Sequence, residues 1–314
     1  MHHAPTAGPL AIEMLGISKS FGDFVAVDGI DLSIASGELF SLLGPNGAGK
    51  TTTIKMLCCL LRPTSGTATV MGHDIRTDPL AVKRVIAVSP QETAIAEHLD
   101  AWENLSLMAG LHGIRGGDAK RRSAELLEMM ALTERADQQA RKYSGGMKRR
   151  LSIAMALVSD PLVLFLDEPT IGLDPQSRRG VWDHIARLKG DTTVVLTTHY
   201  LEEADALADR IAVIDAGKVI ARGTPDQLKR NTGGGPVTVV EATDLSDSAI
   251  AALRQIYPTV RRFAGGVEIE ADGVSVYEIG DCLRSFGVTI DSTYKKQVTL
   301  DDVFLDLTGK ELRQ

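Results

Sequence analysis

The sequence predicts an α/β fold: a largely parallel sheet flanked by helices, an antiparallel N-terminal sheet, a helical insertion and a small C-terminal α+β domain. Three observations carry that prediction. Short apolar runs at Leu39–Leu43, Val85–Val88, Leu162–Leu166, Thr193–Thr197 and Ile211–Ile214 alternate with helical patterns, the order that builds a parallel sheet. Residues 97–160 show no convincing strand and carry Leu, Met, Ala, Glu and Arg at helical spacing. The composition then breaks at Asn231-Thr232-Gly233-Gly234-Gly235-Pro236, where three glycines and a proline read as a linker.

Taken in order, residues 1–10 read as a frayed leader, because they lack the basic start and apolar middle of a secretory signal. Residues 11–34 read as short antiparallel strands, and 11–230 as one domain with its helical subdomain at about 97–160. Beyond the 231–236 linker, the domain 237–314 shows strands at Val237–Val240, Val260–Phe263, Val267–Glu270 and Val288–Tyr294. Helices are expected around Ala249–Ile256 and between the last two strands. That order suggests a ferredoxin-like unit.

Composition narrows the function classes. With 314 residues, 44% of them hydrophobic, the chain can bury a sizeable core, and no apolar run approaches the roughly 18 to 20 residues of a membrane span. The net charge of −7 argues against a nucleic-acid surface. Residues 231–314 hold eight basic and thirteen acidic side chains, so most of the excess lies there and reads as a solvated face. Three cysteines, two of them the adjacent Cys58 and Cys59 inside an apolar helical pattern, suit neither a metal nor a disulfide framework and point to a reducing cytoplasm.

Gly44-Pro45-Asn46-Gly47-Ala48-Gly49-Lys50-Thr51 follows the apolar run Leu39–Leu43 and precedes the helix-like Thr52–Leu61. It satisfies the G-x-x-x-x-G-K-[ST] pattern of a phosphate-binding loop. Glycines let backbone N–H groups curl around phosphate oxygens, and the helix N-terminus adds a favourable dipole. Lys50 is expected on the β- and γ-phosphates of ATP and Thr51 on Mg²⁺, with Thr52 completing the nucleotide set. By itself such a string could be a glycine turn; the strand before it and the helix after it favour the loop.

Pro161-Leu162-Val163-Leu164-Phe165-Leu166-Asp167-Glu168-Pro169 is an apolar run ending in two carboxylates, as expected of a buried parallel strand delivering acids to the sheet's carboxyl edge. Asp167 is expected to bind Mg²⁺ and Glu168 to polarise the attacking water. Alone, this could be a strand and a turn. Thr193–Thr198 ends at His199 in the same way; a strand-end histidine is more often structural, but this one falls where a γ-phosphate should lie.

Tyr143-Ser144-Gly145-Gly146-Met147-Lys148-Arg149-Arg150 resembles the signature of ABC ATPases, commonly Leu-Ser-Gly-Gly-Gln, with Tyr143 and Met147 as departures. Ser-Gly-Gly before a helix is a second anion cradle, or else a helix cap with flexible glycines. Its order and its distance of 23 residues before Asp167 match that family, and the resemblance covers residues 11–229. It implies a P-loop NTPase cassette and, residue by residue, further roles. Phe21 looks like the aromatic that stacks on adenine. Gln91 looks like the glutamine that reaches Mg²⁺ and the attacking water and connects to the membrane partner. Asp174, in Ile171-Gly172-Leu173-Asp174, resembles the D-loop aspartate. Ser144, Gly145, Gly146 and Met147 would contact the ATP of a partner subunit, and Glu168, His199 and Gln91 would be the catalytic set.

Thr299-Leu300-Asp301-Asp302-Val303-Phe304-Leu305-Asp306-Leu307-Thr308 is similar to the closing helix of drug-exporting ATPases of the daunorubicin-resistance type, with Thr299 and Asp302 suited to an N-cap and Leu300, Val303, Phe304 and Leu307 to one apolar stripe. The resemblance implies an ATPase working as a homodimer or pseudo-dimer on a separate ABC-2-type membrane permease, peripheral to the cytoplasmic face of the cell membrane. Drugs or other hydrophobic molecules are the first expectation for cargo, lipids, polyketides or polysaccharides the alternative. Two rivals are a soluble ABC protein acting on ribosomes or DNA and a regulatory module without turnover. The first expects tandem cassettes or coiled coils; against the second stand Lys50, Asp167, Glu168 and His199.

Overall fold

A computed structural model describes residues 9–231, 237–271, 273–296 and 298–308. The expected leader, apart from Pro9 and Leu10, and residues 232–236 of the expected linker lie outside the described residues. The chain divides into two compact units, one up to Pro225 and one from Asp226. The break therefore falls after the first residue of the helix Pro225–Asn231, a little before the sequence boundary at 230, which lies in the same helix.

In the first unit, β1 (Leu10–Phe21) and β2 (Phe24–Ala35) form a long hairpin. The short strands expected over 11–34 are instead twelve residues each, since the register shifts at several points absorb irregularities that would otherwise end pairing. Next come β3 (Leu39–Leu43), α1 (Lys50–Leu57), β4 (Ser65–Val70), β5 (His73–Asp74), α2 (Pro79–Val85) and β6 (Ile86–Ser89). Helix α1 stops four residues short of the expected Leu61, so Cys58 and Cys59 lie past its end. Cys59 turns left-handed at φ 55°, which lets the N–H groups of Leu60 and Leu61 both donate to the Lys55 carbonyl and close the helix.

The chain continues through α3 (Ala101–Leu111), α4 (Gly116–Met129), α5 (Gly145–Leu157), β7 (Val163–Asp167), α6 (Pro175–Ala186), β8 (Thr193–Thr198), α7 (Leu201–Leu207), β9 (Arg210–Asp215) and β10 (Lys218–Gly223). Six strands form one sheet in the order β10-β9-β3-β8-β7-β6, parallel throughout except for the β9–β10 hairpin. Every residue of β3, β7 and β8 is buried, which is why they read as continuous apolar runs rather than alternating ones. The antiparallel sheet β2-β1-β4-β5 contributes Ile12, Met14, Ile17, Ile30 and Ile34 to a core that also takes Phe40, Phe165, Val195 and the Ile54–Leu57 face of α1. Between β6 and β7 the described elements are all helical.

After α8 (Pro225–Asn231), the second unit runs β11 (Val237–Thr243), α9 (Asp247–Ile256), β12 (Val260–Phe263), β13 (Gly266–Glu270), α10 (Val276–Ser285), β14 (Thr289–Lys296) and α11 (Leu300–Thr308). Its sheet order, β12-β13-β11-β14 with every pair antiparallel, is that of the ferredoxin-like split βαβ unit. Ser246 and Ser275 cap α9 and α10. Ile250, Leu253, Ile279 and Leu283 of those helices pack with Val240, Val267 and Ile269 of the sheet. Thr299 and Asp302 bond reciprocally at the start of α11. Leu300, Val303 and Phe304 are buried there, whereas Leu307, expected in the same stripe, is 41% exposed.

Candidate active site at the sheet's carboxyl edge

Strands β3, β7 and β8 are adjacent and parallel, so their C-terminal ends deliver the phosphate-loop pattern, the two carboxylates and the histidine to one edge. The loop between β3 and α1 closes with Gly49 at φ 105° and no side-chain cap on the helix. A Cβ there would sit 2.4 Å from the Ala26 carbonyl oxygen, so only glycine fits this approach. Lys50, 4% exposed, folds back to donate to the carbonyls of Gly44 (2.7 Å) and Pro45 (3.1 Å) and lies 3.3 Å from Glu168 Oε1. Burial pulls its pKa below the usual lysine value, against the opposing pull of Glu168 and Asp167.

The acids are placed by the end of β7, which runs one residue further than the apolar pattern because Asp167 still pairs with Thr197. Asp167 Oδ1 accepts from Thr51 Oγ1 (3.0 Å) and Thr197 Oγ1 (2.5 Å). Successive strand residues point to opposite faces. Glu168 escapes that rule with a left-handed φ of 48°, held by its N–H donating to the Thr197 carbonyl and hydroxyl oxygens at 3.1 and 3.0 Å. The turn brings its carboxylate back over the phosphate loop, where Oε2 lies 2.7 Å from His199 Nδ1. Lys50, Glu168 and His199 thus form one chain of contacts, with Thr51 and Asp167 beside it.

The other expected residues are placed separately. Ser144 and Gly145 are exposed at the N-terminus of α5, where the Ser144 hydroxyl accepts from the Met147 N–H at 3.2 Å. Gly146 is buried, Met147 half-buried, and Tyr143 fills the leucine position as a buried side chain whose hydroxyl donates to the Arg135 carbonyl. Gln91 is exposed just past β6 and shares a cavity of about 250 Å³ with Gly145, Glu168, Pro169 and Leu173. Asp174 caps α6 by accepting from the Ser177 N–H at 2.9 Å, and hydrogen bonding from the Ser177 side chain first, then from its N–H, lowers the pKa of Asp174. Phe21 ends β1, half-exposed, with the Lys19 ammonium 5.2 Å from its ring centre. Its exposure leaves a ring face for a planar ligand. Among the described residues, no cluster of three His, Cys, Asp or Glu side chains could cage a metal, and no helix is long and apolar enough to cross a membrane.

One residue without a motif of its own ties these parts together. Arg149, 3% exposed on α5, donates to the carbonyls of Pro90 (2.5 Å), Gln91 (3.4 Å) and Asp167 (3.0 Å). Burial lowers its pKa to about 10. Sequence reasoning missed it, although the signal was there: Arg149, Ser152, Ile153 and Ala156 share one buried helical face, so this arginine falls on the apolar stripe while Lys148 beside it reaches out to Glu97. Thr197, the other residue missed, stands in a strand end otherwise read only for its histidine.

Comparison with known proteins decides what this site belongs to. The ABC transporter family pattern matches residues 27–171. The chain is 45% identical, over 96% of its length and 97% of the relative's, to the daunorubicin resistance ATP-binding protein DrrA3 of Streptomyces coeruleorubidus. The chain belongs to the ATP-binding subunits of ABC transporters. Within that family it is also 38% identical, over 95% of this chain and 98% of the relative, to the linearmycin resistance ATP-binding protein LnrL of Bacillus subtilis. Among solved ABC structures, an ATP-binding cassette captured as a dimer after hydrolysis with ADP and phosphate bound aligns with a TM-score of 0.60 at 27% identity, covering 68% of this chain and 98% of that one. The first unit is therefore an ABC cassette, and the protein is a nucleotide-binding, ATP-hydrolysing subunit of the exporter-type ABC transporters.

Proposed function

We propose that this ATPase drives efflux of drugs or similar hydrophobic molecules through a separate ABC-2-type permease, working as a homodimer on the cytoplasmic face of the cell membrane. The direction and the cargo class rest on the resistance functions named for its relatives, the likeness running through the C-terminal unit as well as the cassette. Two ATPs would lie between two copies, each held by one chain's Gly44–Thr52 segment and Phe21 and closed over by the other's Ser144–Met147. Tighter ATP binding to the closed pair supplies the work that switches the permease. Hydrolysis then reopens it. Within this scheme residues 11–225 form the cassette and those from Asp226 an accessory unit.

The chain of contacts Lys50–Glu168–His199 is the observation that best supports turnover in each copy. Glu168, drawn to one edge by its turned backbone, accepts a proton from the attacking water, and His199 orients that carboxylate and faces the γ-phosphate. Lys50, released from its loop carbonyls, neutralises the β- and γ-phosphates. Thr51 and Asp167 fit Mg²⁺, with Gln91 completing the set: a hydroxyl and a carboxylate 3.0 Å apart are hard oxygen donors, and Mg²⁺ is commonly held by one or two carboxylates plus substrate phosphates. Bound there, it offsets negative charge on the transferred group.

The test is transport itself. Inside-out vesicles carrying this chain with its candidate permease should accumulate a fluorescent anthracycline when given ATP, and vesicles with Glu168→Gln should not. Intact ATP hydrolysis with no movement of any anthracycline would shift the cargo to a lipid, polyketide or polysaccharide.

A further inference from the structure

We propose that Glu203 is a positioning residue of the hydrolytic site, holding the loop after β7 and the helix α6 in fixed relation to the helix that comes after His199. The proposal rests on the reading of Glu168 and His199 given above. Glu203 lies on α7 with none of its surface exposed. A single oxygen, Oε1, accepts from the Thr170 hydroxyl at 2.7 Å and from the Trp182 indole N–H at 3.0 Å. Thr170, also fully buried, stands two residues after Glu168 in the loop that leads to Asp174. Trp182 stands on α6, the helix that Asp174 caps. One carboxyl oxygen on α7 therefore joins that helix to the loop after β7 and to α6.

A second contact spans the same gap. The Arg178 guanidinium of α6 sits 4.2 Å from the ring centre of Tyr200, the residue between His199 and α7. The Glu168–His199 contact at 2.7 Å crosses between the two halves that these ties join, Glu168 on the loop side and His199 on the α7 side. If the loop drifts relative to α7, that contact opens. Misplacing a reacting group by about 1 Å costs up to about 10²-fold in rate.

The chemistry of the position favours geometry over charge. Burying a carboxyl group is costly unless its hydrogen bonds are made, and burial raises the pKa of Glu203 above the ordinary carboxylate value, toward the neutral form. The Thr198 hydroxyl and the Arg149 charge also act on this carboxyl group, but what the Thr170 hydroxyl and the Trp182 indole require is one oxygen accepting two bonds. An amide oxygen can supply that; a methyl group cannot.

Steady-state ATP kinetics on Glu203→Ala and Glu203→Gln, with Glu168→Gln measured alongside, test the proposal. Glu203→Ala should lower kcat by about tenfold to a hundredfold while KM for ATP stays within about twofold, and Glu203→Gln should recover most of that loss. Should Glu203→Ala fail to fold, Thr170→Val and Trp182→Phe each delete one donor, and the double variant should show the same fall in kcat at unchanged KM. The chain has two tryptophans, so in a Trp102→Phe background the emission reports Trp182 alone. It should shift with Glu203→Ala and hold with Glu203→Gln. A wild-type kcat in Glu203→Ala or in the double variant, a loss confined to KM, or a Gln variant as slow as Ala would each overturn the positioning role. Wild-type turnover in Glu168→Gln would instead sink the site reading beneath it.

Discussion

Two helix N-termini in the cassette, at Gly49 before α1 and at Ser144 before α5, both begin beside glycines, and both have the first-turn backbone N–H groups that favour an anion. Their surroundings differ. At Gly49 the helix has no side-chain cap, the following lysine is buried, and within one residue the loop connects to Asp167, Glu168 and His199. At Ser144 the helix is capped by its own serine, Ser144 and Gly145 are exposed, and the connections run, through Arg149, to the Gln91 loop and β7. The first cradle has its chemistry on its own chain. The second offers an exposed serine whose hydroxyl, among the described residues, is bonded only to its own helix, which suits the proposed role on the ATP of a second copy.

Substitutions should therefore separate binding, chemistry and closure. Lys50→Ala should have the largest effect, because it strips charge from the self-contained cradle. Charge-assisted bonds are worth about 1.5–3 kcal/mol each, so loss of the phosphate contacts should weaken ATP binding by about 10²-fold or more and abolish turnover. Titration calorimetry checks this, and near-normal hydrolysis would end the phosphate-loop assignment. Next comes Glu168→Gln. It keeps the cradle and removes the carboxylate proposed to polarise water, so ATP binding should survive while turnover falls by about 10² to 10⁴. Light scattering should find it as a dimer with Mg-ATP and a monomer without. A monomer under both conditions would break the comparison, because the second cradle would then have no ATP to meet.

What the amino-acid order discloses obeys the same division. Local patterns marked the glycine loop before α1 and its strands: Leu39–Leu43 is β3 as expected, and the ferredoxin-like order of the second unit came from the order of its strand and helix stretches. Ser144 was picked out by the resemblance to the ABC signature, because Ser-Gly-Gly before a helix could by itself be no more than a cap. Local patterns could not find the partners of Arg149 or the shared oxygen of Glu203. The carbonyls of Pro90 and Asp167, and the donors Thr170 and Trp182, reach those side chains only through strand order. Nor could they see that Cys59 would turn left-handed and end α1, a choice made by the two N–H groups that need the Lys55 carbonyl.

Ser144→Arg tests the second cradle. It puts bulk and charge on an exposed position, so the lone chain should fold and bind ATP as wild type does. In a Glu168→Gln background the ATP-dependent dimer should disappear, and in the wild-type background turnover should fall about tenfold or more. Weakened ATP binding by the monomer would mean that Ser144 belongs to the chain's own site.

The smallest effect is expected at Gly145, and it sharpens the contrast because the same change at Gly49 has no room. A Cβ on Gly49 meets the fixed Ala26 carbonyl oxygen at 2.4 Å in a left-handed backbone, whereas a Cβ on Gly145 meets only the Leu173 Cδ2 methyl at 3.1 Å. A side-chain end can yield a few tenths of an ångström; a strand carbonyl cannot. Gly145→Ala also favours helix, by up to about 1 kcal/mol at a helical position, which offsets most of the displaced leucine. Its melting temperature should stay within about 2 °C of wild type, less than the shift that 1 kcal/mol produces in a unit of this size, and ATP binding should be unchanged. Turnover should fall by only a few-fold, because in the proposed dimer a methyl group would stand where the partner's phosphate approaches the backbone. Differential scanning fluorimetry paired with an ATPase assay reads both quantities. A drop of more than about 5 °C would show that Gly145 is packed into its own chain as tightly as Gly49, and the distinction between the two cradles would fail.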